Sequence, residues 1–141
     1  MRTQPRMTKS LAGIAGGLFL LTSSLLGFPL ITGIQEFGGD DSVNTPAQYT
    51  GQTFTHPNLG EITLRTFGED APAFRDRVHQ WNGATAALPL PSYLVGGEYV
   101  MIRNDNRENP TFGLDISVSE PAFVYRPLDN RLSAGSAADP P

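Results

Sequence analysis

Beyond Ile34, apolar side chains recur at every second position in short runs, and turn-forming residues separate these runs. The clearest run is TFGLDISV, in which Phe112, Leu114, Ile116 and Val118 alternate with smaller or polar residues. Such alternation gives a strand one buried face and one solvated face, which is typical of antiparallel sheets. The runs recur at spacings of roughly ten residues, which favours a β-sandwich.

The other strand candidates are shorter, and no stretch after Ile34 shows sustained helical periodicity. We predict strands in QYTGQTFTH, GEITLRTF, FRDRVHQW, EYVMIRN and AFVYRP. The AAL stretch from Ala86 to Leu88 is too short for a helix, and Pro89 and Pro91 end it. The predicted fold class is therefore all-β, an antiparallel β-sandwich.

The start of the chain, up to Ile34, has the layout of a bacterial export signal. Arg2, Arg6 and Lys9 precede an uncharged, mostly apolar run from Leu11 to Ile34. The cations would stay on the cytoplasmic side while the apolar run enters the bilayer as a helix. Cleavage and retention as a membrane anchor both stay open, because residues 1–34 contain no Ala-x-Ala and a helix of about 20 residues can span a bilayer. We therefore predict export to the periplasm, the cell surface or the medium, with membrane contact only through residues 11–34.

We divide the chain into an export signal or signal anchor (1–34), a linker (35–47), a β-sandwich module (48–131) and a disordered tail (132–141). The linker assignment rests on the Gly, Asp, Ser, Asn and Pro of FGGDDSVNTPA, which could alternatively form a calcium-type loop. The tail LSAGSAADPP contains no strand candidate. Either it is frayed, or the chain is a fragment of a longer protein and the module is incomplete.

The composition excludes several classes of function. Because the chain has no Cys, disulfide frameworks, thiolate metal sites and Cys nucleophiles are excluded. From Ile34 onward the chain has seven Arg against fourteen acidic residues, so removal of the preceding segment changes the net charge from −4 to −7. We therefore expect no nucleic-acid partner. After Lys9 every cation is an Arg, whose planar fork suits fixed pairs with carboxylates and carbonyls. A compositional bias of the genome would give the same pattern.

The tripeptide Asp-Asn-Arg occurs at 105–107 and again at 129–131, each time after a short apolar run that contains Tyr. Asp and Asn suit strand ends, so one interpretation is two turns, each braced by the adjoining Arg on a carboxylate. The other is a polar patch at one rim of the sandwich, where loops cluster and ligands bind. There, polar residues would bind sugar hydroxyls and one aromatic residue would stack on the sugar ring. The candidate ligand-binding residues are Trp81, Tyr93, Asn104, Asp105, Arg107, Asp129 and Arg131.

The sequence contains none of the common catalytic patterns. Gly-x-Ser-x-Gly, His-Glu-x-x-His and a phosphate-binding loop are all absent. Of the two histidines, we expect His56 to be a loop residue and His79 to be a packed or half-exposed strand residue. Carboxylates such as that of Asp76 are close in sequence to others, but a general acid–base pair requires opposed placement across a bond. We predict no catalysis, no cofactor and no metal site.

Three segments together resemble a module of exported proteins from environmental bacteria, notably planctomycetes: DRVHQWNG, LPSYLVGGEYVMIRNDNRENP and FVYRPLDNR. The resemblance runs from Phe74 to Arg131 and rests on the order of the motifs. It implies an all-β, jelly-roll-like module akin to galactose-binding-like domains, often within large surface proteins. Members usually continue with further strands, so the resemblance also implies that this chain is a fragment. The shared positions, which shape the fold, are Asp76, Arg77, Tyr99, Asn104, Asp105, Arg107, Tyr125, Asp129 and Arg131.

The sequence thus predicts an exported, surface-linked, non-catalytic module that binds or scaffolds, with envelope or matrix carbohydrate as the expected ligand. A purely structural module of a surface protein, with no small ligand, is the alternative. A fragment of an exported hydrolase is the third interpretation. If Trp81 is the sugar platform, Trp81→Ala should abolish retention of a polysaccharide without unfolding the protein.

Overall fold

The computed structural model describes residues 8–12, 19–21, 29–39, 45–81 and 89–126, which form β-strands and one 3-10 turn, Asp105–Glu108. All strand pairs among them are antiparallel. The predicted all-β, antiparallel fold is thereby confirmed. No helix in this described part is long and apolar enough to cross a membrane. The strands are β1 (Thr8–Ala12), β2 (Phe19–Leu21), β3 (Ile31–Phe37), β4 (Gln48–Tyr49), β5 (Thr53–His56), β6 (Gly60–Thr63), β7 (Glu98–Met101), β8 (Gly113–Val118) and β9 (Val124–Tyr125).

The strands are arranged in three sheets. In the first sheet β8 lies between β1 and β3, in the second the order is β4-β7-β2-β9, and the third is the hairpin β5-β6. Strand β8 is the run with the clearest alternation in the sequence. Its Leu114 and Ile116 are buried, as the alternation predicts, whereas Asp115 between them is only partly buried.

Strand β7 has a hydrophobic core on each of its two faces. Val100 belongs to a cluster with residues of β3 and β8, whereas Tyr99 and Met101 belong to a second cluster with Leu64 and Phe67. Because successive side chains of a strand point to opposite faces, the two clusters lie on opposite sides of β7. This double burial explains why Tyr99, Val100 and Met101 form a continuous apolar run rather than an alternating one.

The FRDRVHQW segment is an irregular loop and not the predicted strand. Its strand-like pairing is limited to one bridge between Pro72 and Gln80. Arg75, which the alternation placed on the solvated face, is only 2% exposed. Its Nε donates to the carbonyl of Pro46 at 2.9 Å, and its guanidinium lies 4.1 Å from the ring centroid of Phe54. Because Arg75 points inward and contacts other segments, the side chains of this segment do not alternate between a buried and a solvated face. The prediction of a strand in FRDRVHQW was therefore wrong.

Parts of the predicted export signal belong to the sheets. β1 pairs with β8, and β2 lies between β7 and β9. The described part of this segment therefore includes strands, and the predicted N-terminal helix is not confirmed. β3 also crosses the predicted boundary between signal and linker, because Ile31–Phe37 forms one strand. An uncharged apolar run fits a leader and a buried strand equally well, so periodicity alone did not separate them.

Two carboxylates fix β3 to the rest of the fold. Glu98 accepts hydrogen bonds from the backbone N–H groups of Leu30 and Ile31, both at 2.8 Å. Glu36 accepts a hydrogen bond of 2.7 Å from Nδ2 of the fully buried Asn106. Hydrogen bonds to a charged acceptor are stronger than neutral ones, so the segment 30–37 is held firmly in the fold. The middle of the predicted linker, 40–44, and the predicted tail, 132–141, lie outside the described residues.

Candidate functional site

Two polar motifs far apart in sequence meet in one cluster, which we call the polar brace: Asp76, Arg77, Arg103, Asn104 and Asp105. Oδ1 of Asp76 accepts a hydrogen bond of 2.7 Å from the backbone N–H of Asn104. Arg77 donates to Oδ2 of Asp76 at 2.9 Å and to Oδ1 of Asp105 at 2.7 Å. Arg103 lies 3.5 Å from Oδ2 of Asp105. The brace therefore ties the loop after β6 to the turn after β7.

The brace accounts for the first Asp-Asn-Arg turn. The side chain of Asp76 is 7% exposed, whereas those of Asp105 and Arg77 are 39% and 41% exposed. Both oxygens of Asp105 thus face guanidinium groups, which belong to Arg77 and Arg103. The backbone of Arg107 lies in the 3-10 turn, and its side chain is outside the description. The turn is braced by Arg77 and Arg103, and the predicted part of the adjoining Arg107 stays a prediction.

Other polar side chains are buried and serve to hold segments together. His56 is 1% exposed and ends β5, so its prediction as a loop residue was wrong. Its Nε2 lies 3.0 Å from the carbonyl oxygen of Phe74, and its Nδ1 accepts the backbone N–H of Asn58 at 3.1 Å. We therefore assign the neutral tautomer with the proton on Nε2. For the buried Arg75, burial lowers the pKa of the guanidinium, although nearby carboxylates act in the opposite direction.

An exposed pair of tyrosines, which we call the tyrosine pair, is formed by Tyr93 and Tyr125. The side chain of Tyr93 is 62% exposed, and its ring centroid lies 5.5 Å from that of Tyr125 with the planes inclined at 47°. Tyr125 is partly buried against the second core cluster, which anchors the pair to the fold. Phe123 and Val124, which directly precede Tyr125, are also exposed. The pair presents aromatic surface and two phenolic hydroxyls at one place.

Trp81 does not have the exposed position that a sugar platform requires. Its side chain is partly buried against the second core cluster, and its ring centroid lies 5.8 Å from that of Phe67. Its backbone pairs with Ala71 and Asp70 through hydrogen bonds of 2.9 and 3.0 Å. We therefore expect Trp81→Ala to destabilise the fold, rather than to abolish polysaccharide retention without unfolding the protein.

An open pocket of about 340 Å³ lies beside β6, with Arg65, Glu69, Asp70, Pro72 and Tyr99 among its lining residues. Asp70 has a positive φ of 62°, which is uncommon for a residue other than Gly. Of the predicted site residues that the structure describes, none lines this pocket. The pocket therefore forms a surface separate from both the polar brace and the tyrosine pair.

Asp129 and Arg131 lie outside the described residues. His79 is exposed in the loop before Trp81 rather than packed in a strand, with its ring 6.2 Å from that of Phe74. Within the described ranges, no group of three or more His, Asp or Glu side chains could hold a metal ion.

Sequence reasoning missed Arg103 in the brace and used Tyr125 only as a residue that shapes the fold. The sequence did contain one indication of the role of Arg103. Because every cation after Lys9 is an Arg, we expected some arginines to form fixed pairs with carboxylates. Tyr125 offered the weaker signal of an aromatic residue next to an exposed Phe in a short strand. Its contact with Tyr93 depends on how β9 is placed against the loop before β7, and the local sequence carries no information on that placement.

No family model, curated protein or solved structure matches this chain. The resemblance to the planctomycete module stays a prediction.

Proposed function

We propose that the chain is an exported, non-catalytic module that binds carbohydrate of the cell envelope or matrix through the tyrosine pair. The observation that supports this function is the exposed ring of Tyr93 beside the anchored ring of Tyr125. A sugar ring has an apolar C–H face and an edge of hydroxyls. Tyr matches both, because its ring is flat and apolar while its hydroxyl donates and accepts hydrogen bonds.

The charge of the module narrows the class of carbohydrate. From Ile34 onward the chain carries a net charge of −7, with seven Arg against fourteen acidic residues, which repels anionic polymers at low ionic strength. We therefore expect neutral polysaccharides, or those with amino sugars, to bind in preference to uronic acid or sulfated polymers.

Retention in a polysaccharide-containing native gel tests this function. The full chain is compared with Tyr93→Ala and with Leu59→Ala, a matched control that truncates another exposed apolar side chain, 48% exposed, in the β5-β6 turn. We expect Tyr93→Ala to lose retention while Leu59→Ala keeps it, both with unchanged melting temperatures. Equal retention by both variants would refute the role of the tyrosine pair.

The second candidate is a structural module without a small ligand, and the polar brace favours it. The carboxylate of Asp105, which was expected to bind sugar hydroxyls, is instead engaged with Arg77 and Arg103. In this case no polysaccharide is retained by the wild-type chain, and variants of the brace lower only the melting temperature.

We infer further that the sheets pack as a jelly-roll-like sandwich and that residues 1–34 direct export. The sandwich is supported by the core cluster that contains residues of both the first and the second sheet. Export is supported by the basic start and the uncharged run that follows it. Expression of the full chain in an exporting bacterial host, followed by fractionation and amino-terminal sequencing, tests export. An intact amino terminus in the cytoplasmic fraction would refute it.

A further inference from the structure

We propose that the position of β2, between β7 and β9, is a strand-binding slot that accepts an apolar strand of a partner polypeptide once the N-terminal segment has left it. The proposal rests on the export part of the proposed function. It begins from one conflict, which is that residues 19–21 lie in the predicted leader and also form the strand between β7 and β9. If this segment is held in the bilayer or cleaved off, it cannot also form the strand between β7 and β9.

The pairing of β2 shows what its departure would open. Leu20 is opposite Tyr99 of β7 and also opposite Tyr125 of β9. In the described residues β9 has no other strand partner, and β7 has only β4 on its other edge. Without β2, two strands on either side of a gap would present unpaired backbone N–H and C=O groups. Such edges readily pair with another extended chain.

The walls of the slot would keep their places when β2 leaves, because other contacts hold them. β7 is fixed by the two core clusters that contain Val100 and Tyr99, and the hydroxyl of Tyr99 donates to the carbonyl of Pro72 at 3.0 Å. β9 is held through Tyr125, which packs on the second cluster and on Tyr93. The gap is therefore bounded by two strands that have independent anchors.

Removal of the leader would not remove β3, so the module could remain folded with an open slot. Leu30 and Ile31 are 0% and 1% exposed, and both backbone N–H groups are held by Glu98. A cut upstream of Leu30 would delete β1 and β2 but keep these contacts. The same cut would also open one edge of β8, where β1 pairs.

The chemistry of the slot defines its occupant. Its walls are apolar, with Val100 fully buried and Val124 45% exposed, and the carboxylate of Glu98 is already engaged by the start of β3. The slot therefore selects a short, uncharged, extended segment, which would bind by addition to both strand edges. A second copy of the processed module lacks β2 as well and cannot supply it, so we assign the slot to an apolar strand of a different polypeptide.

Hydrogen exchange measured by mass spectrometry tests the slot without any need for export. The test protein is the full chain with Leu20→Pro, purified from the cytoplasm. Proline removes the backbone N–H of residue 20 and fixes its φ, so β2 can no longer pair normally between β7 and β9. The probe is a peptide with the sequence GLFLLTSS, residues 17–24, and the control is the same peptide with Leu20→Pro. Leu20→Gly is the milder second variant if Leu20→Pro does not fold.

We expect faster exchange of the amides of residues 98, 100 and 125, whose N–H groups face β2, in the variant than in the wild type; the Tyr99 N–H instead donates to Oγ1 of Thr50. The probe peptide should slow this exchange roughly tenfold, because it restores the ladder, and the proline peptide should not. The proposal is wrong if the variant exchanges like the wild type or if the probe gives no protection. It is also wrong if the exported, processed protein protects these amides by self-association. A failure of export refutes only the export proposal, since the cytoplasmic variant still reports on the slot.

Discussion

Replacing Asp76 should cost far more stability than replacing Asp105, although both carboxylates belong to the polar brace. Asp76 is 7% exposed and accepts the backbone N–H of Asn104 at 2.7 Å, so Asp76→Ala leaves that N–H without its partner. A hydrogen bond to a charged group contributes about 1.5–3 kcal/mol. Asp105 is 39% exposed and pairs with the similarly exposed Arg77, and such surface pairs contribute about 0.2–1 kcal/mol. We expect a loss of about 2–3 kcal/mol for Asp76→Ala and of at most about 1 kcal/mol for Asp105→Ala.

Urea unfolding of the full chain, followed by the fluorescence of its single Trp, measures both values. Asp76→Ala should also lower the melting temperature by roughly 10–20 °C, given about 4–8 °C per kcal/mol for a domain of about this size. Asp76→Asn is the matched control, because it keeps an acceptor oxygen for Asn104 and should recover part of the loss. Equal effects of Asp76→Ala and Asp105→Ala, or a larger effect of the latter, would show that burial does not rank these carboxylates.

Three further predictions concern residues that hold the fold. In urea titrations, Arg75→Gln should lower the free energy of unfolding by about 2–4 kcal/mol, because it removes a buried guanidinium from its carbonyl and aromatic partners. The control is Arg65→Gln at an exposed position, which should change the free energy of unfolding by less than about 0.5 kcal/mol. Burial raises the pKa of Tyr99, so the folded state keeps a proton that the unfolded state releases above about pH 10. Stability is therefore complete below that pH and falls as the pH rises further, and Tyr99→Phe should flatten the decline in denaturation curves measured from pH 9 to 11. Gly38→Ala should destabilise by about 2 kcal/mol or more, because its φ is +65° and a Cβ would overlap a backbone carbonyl; Gly33→Ala, with open space at that position, is the control in thermal melts.

The strand positions that could be predicted are those where local alternation and burial agree. β8 is the clearest case, because its Leu114 and Ile116 face one core while Asp115 between them is more exposed. β7 was predicted as a strand from its composition, but its burial on both faces depends on two separate clusters. Around Arg75 the alternation was misleading, since a buried Arg with carbonyl and aromatic partners behaves as an interior residue that no hydropathy pattern marks.

The candidate site was less accessible to sequence reasoning than the fold. Asp105 was expected to pair with its neighbour in sequence or to face a ligand, and the sequence did not reveal its contacts with Arg77, far earlier in the chain, and with Arg103. Tyr93 was named as an aromatic candidate and its ring is exposed, but the ring beside it comes from β9, well beyond it in the sequence. Contacts of this kind depend on how loops close over the sheets, and a single sequence has no local signal for that closure.

The most direct test of the account compares the dissociation constants of Tyr93→Ala and Asp105→Ala for one neutral polysaccharide that the wild-type chain retains. Because we propose that the tyrosine pair binds the polysaccharide and that Asp105 braces the turn, Tyr93→Ala should weaken binding by at least about tenfold while Asp105→Ala stays close to the wild-type value. The opposite order, with Asp105→Ala losing binding and Tyr93→Ala retaining it, would contradict the account and return the binding site to the polar rim.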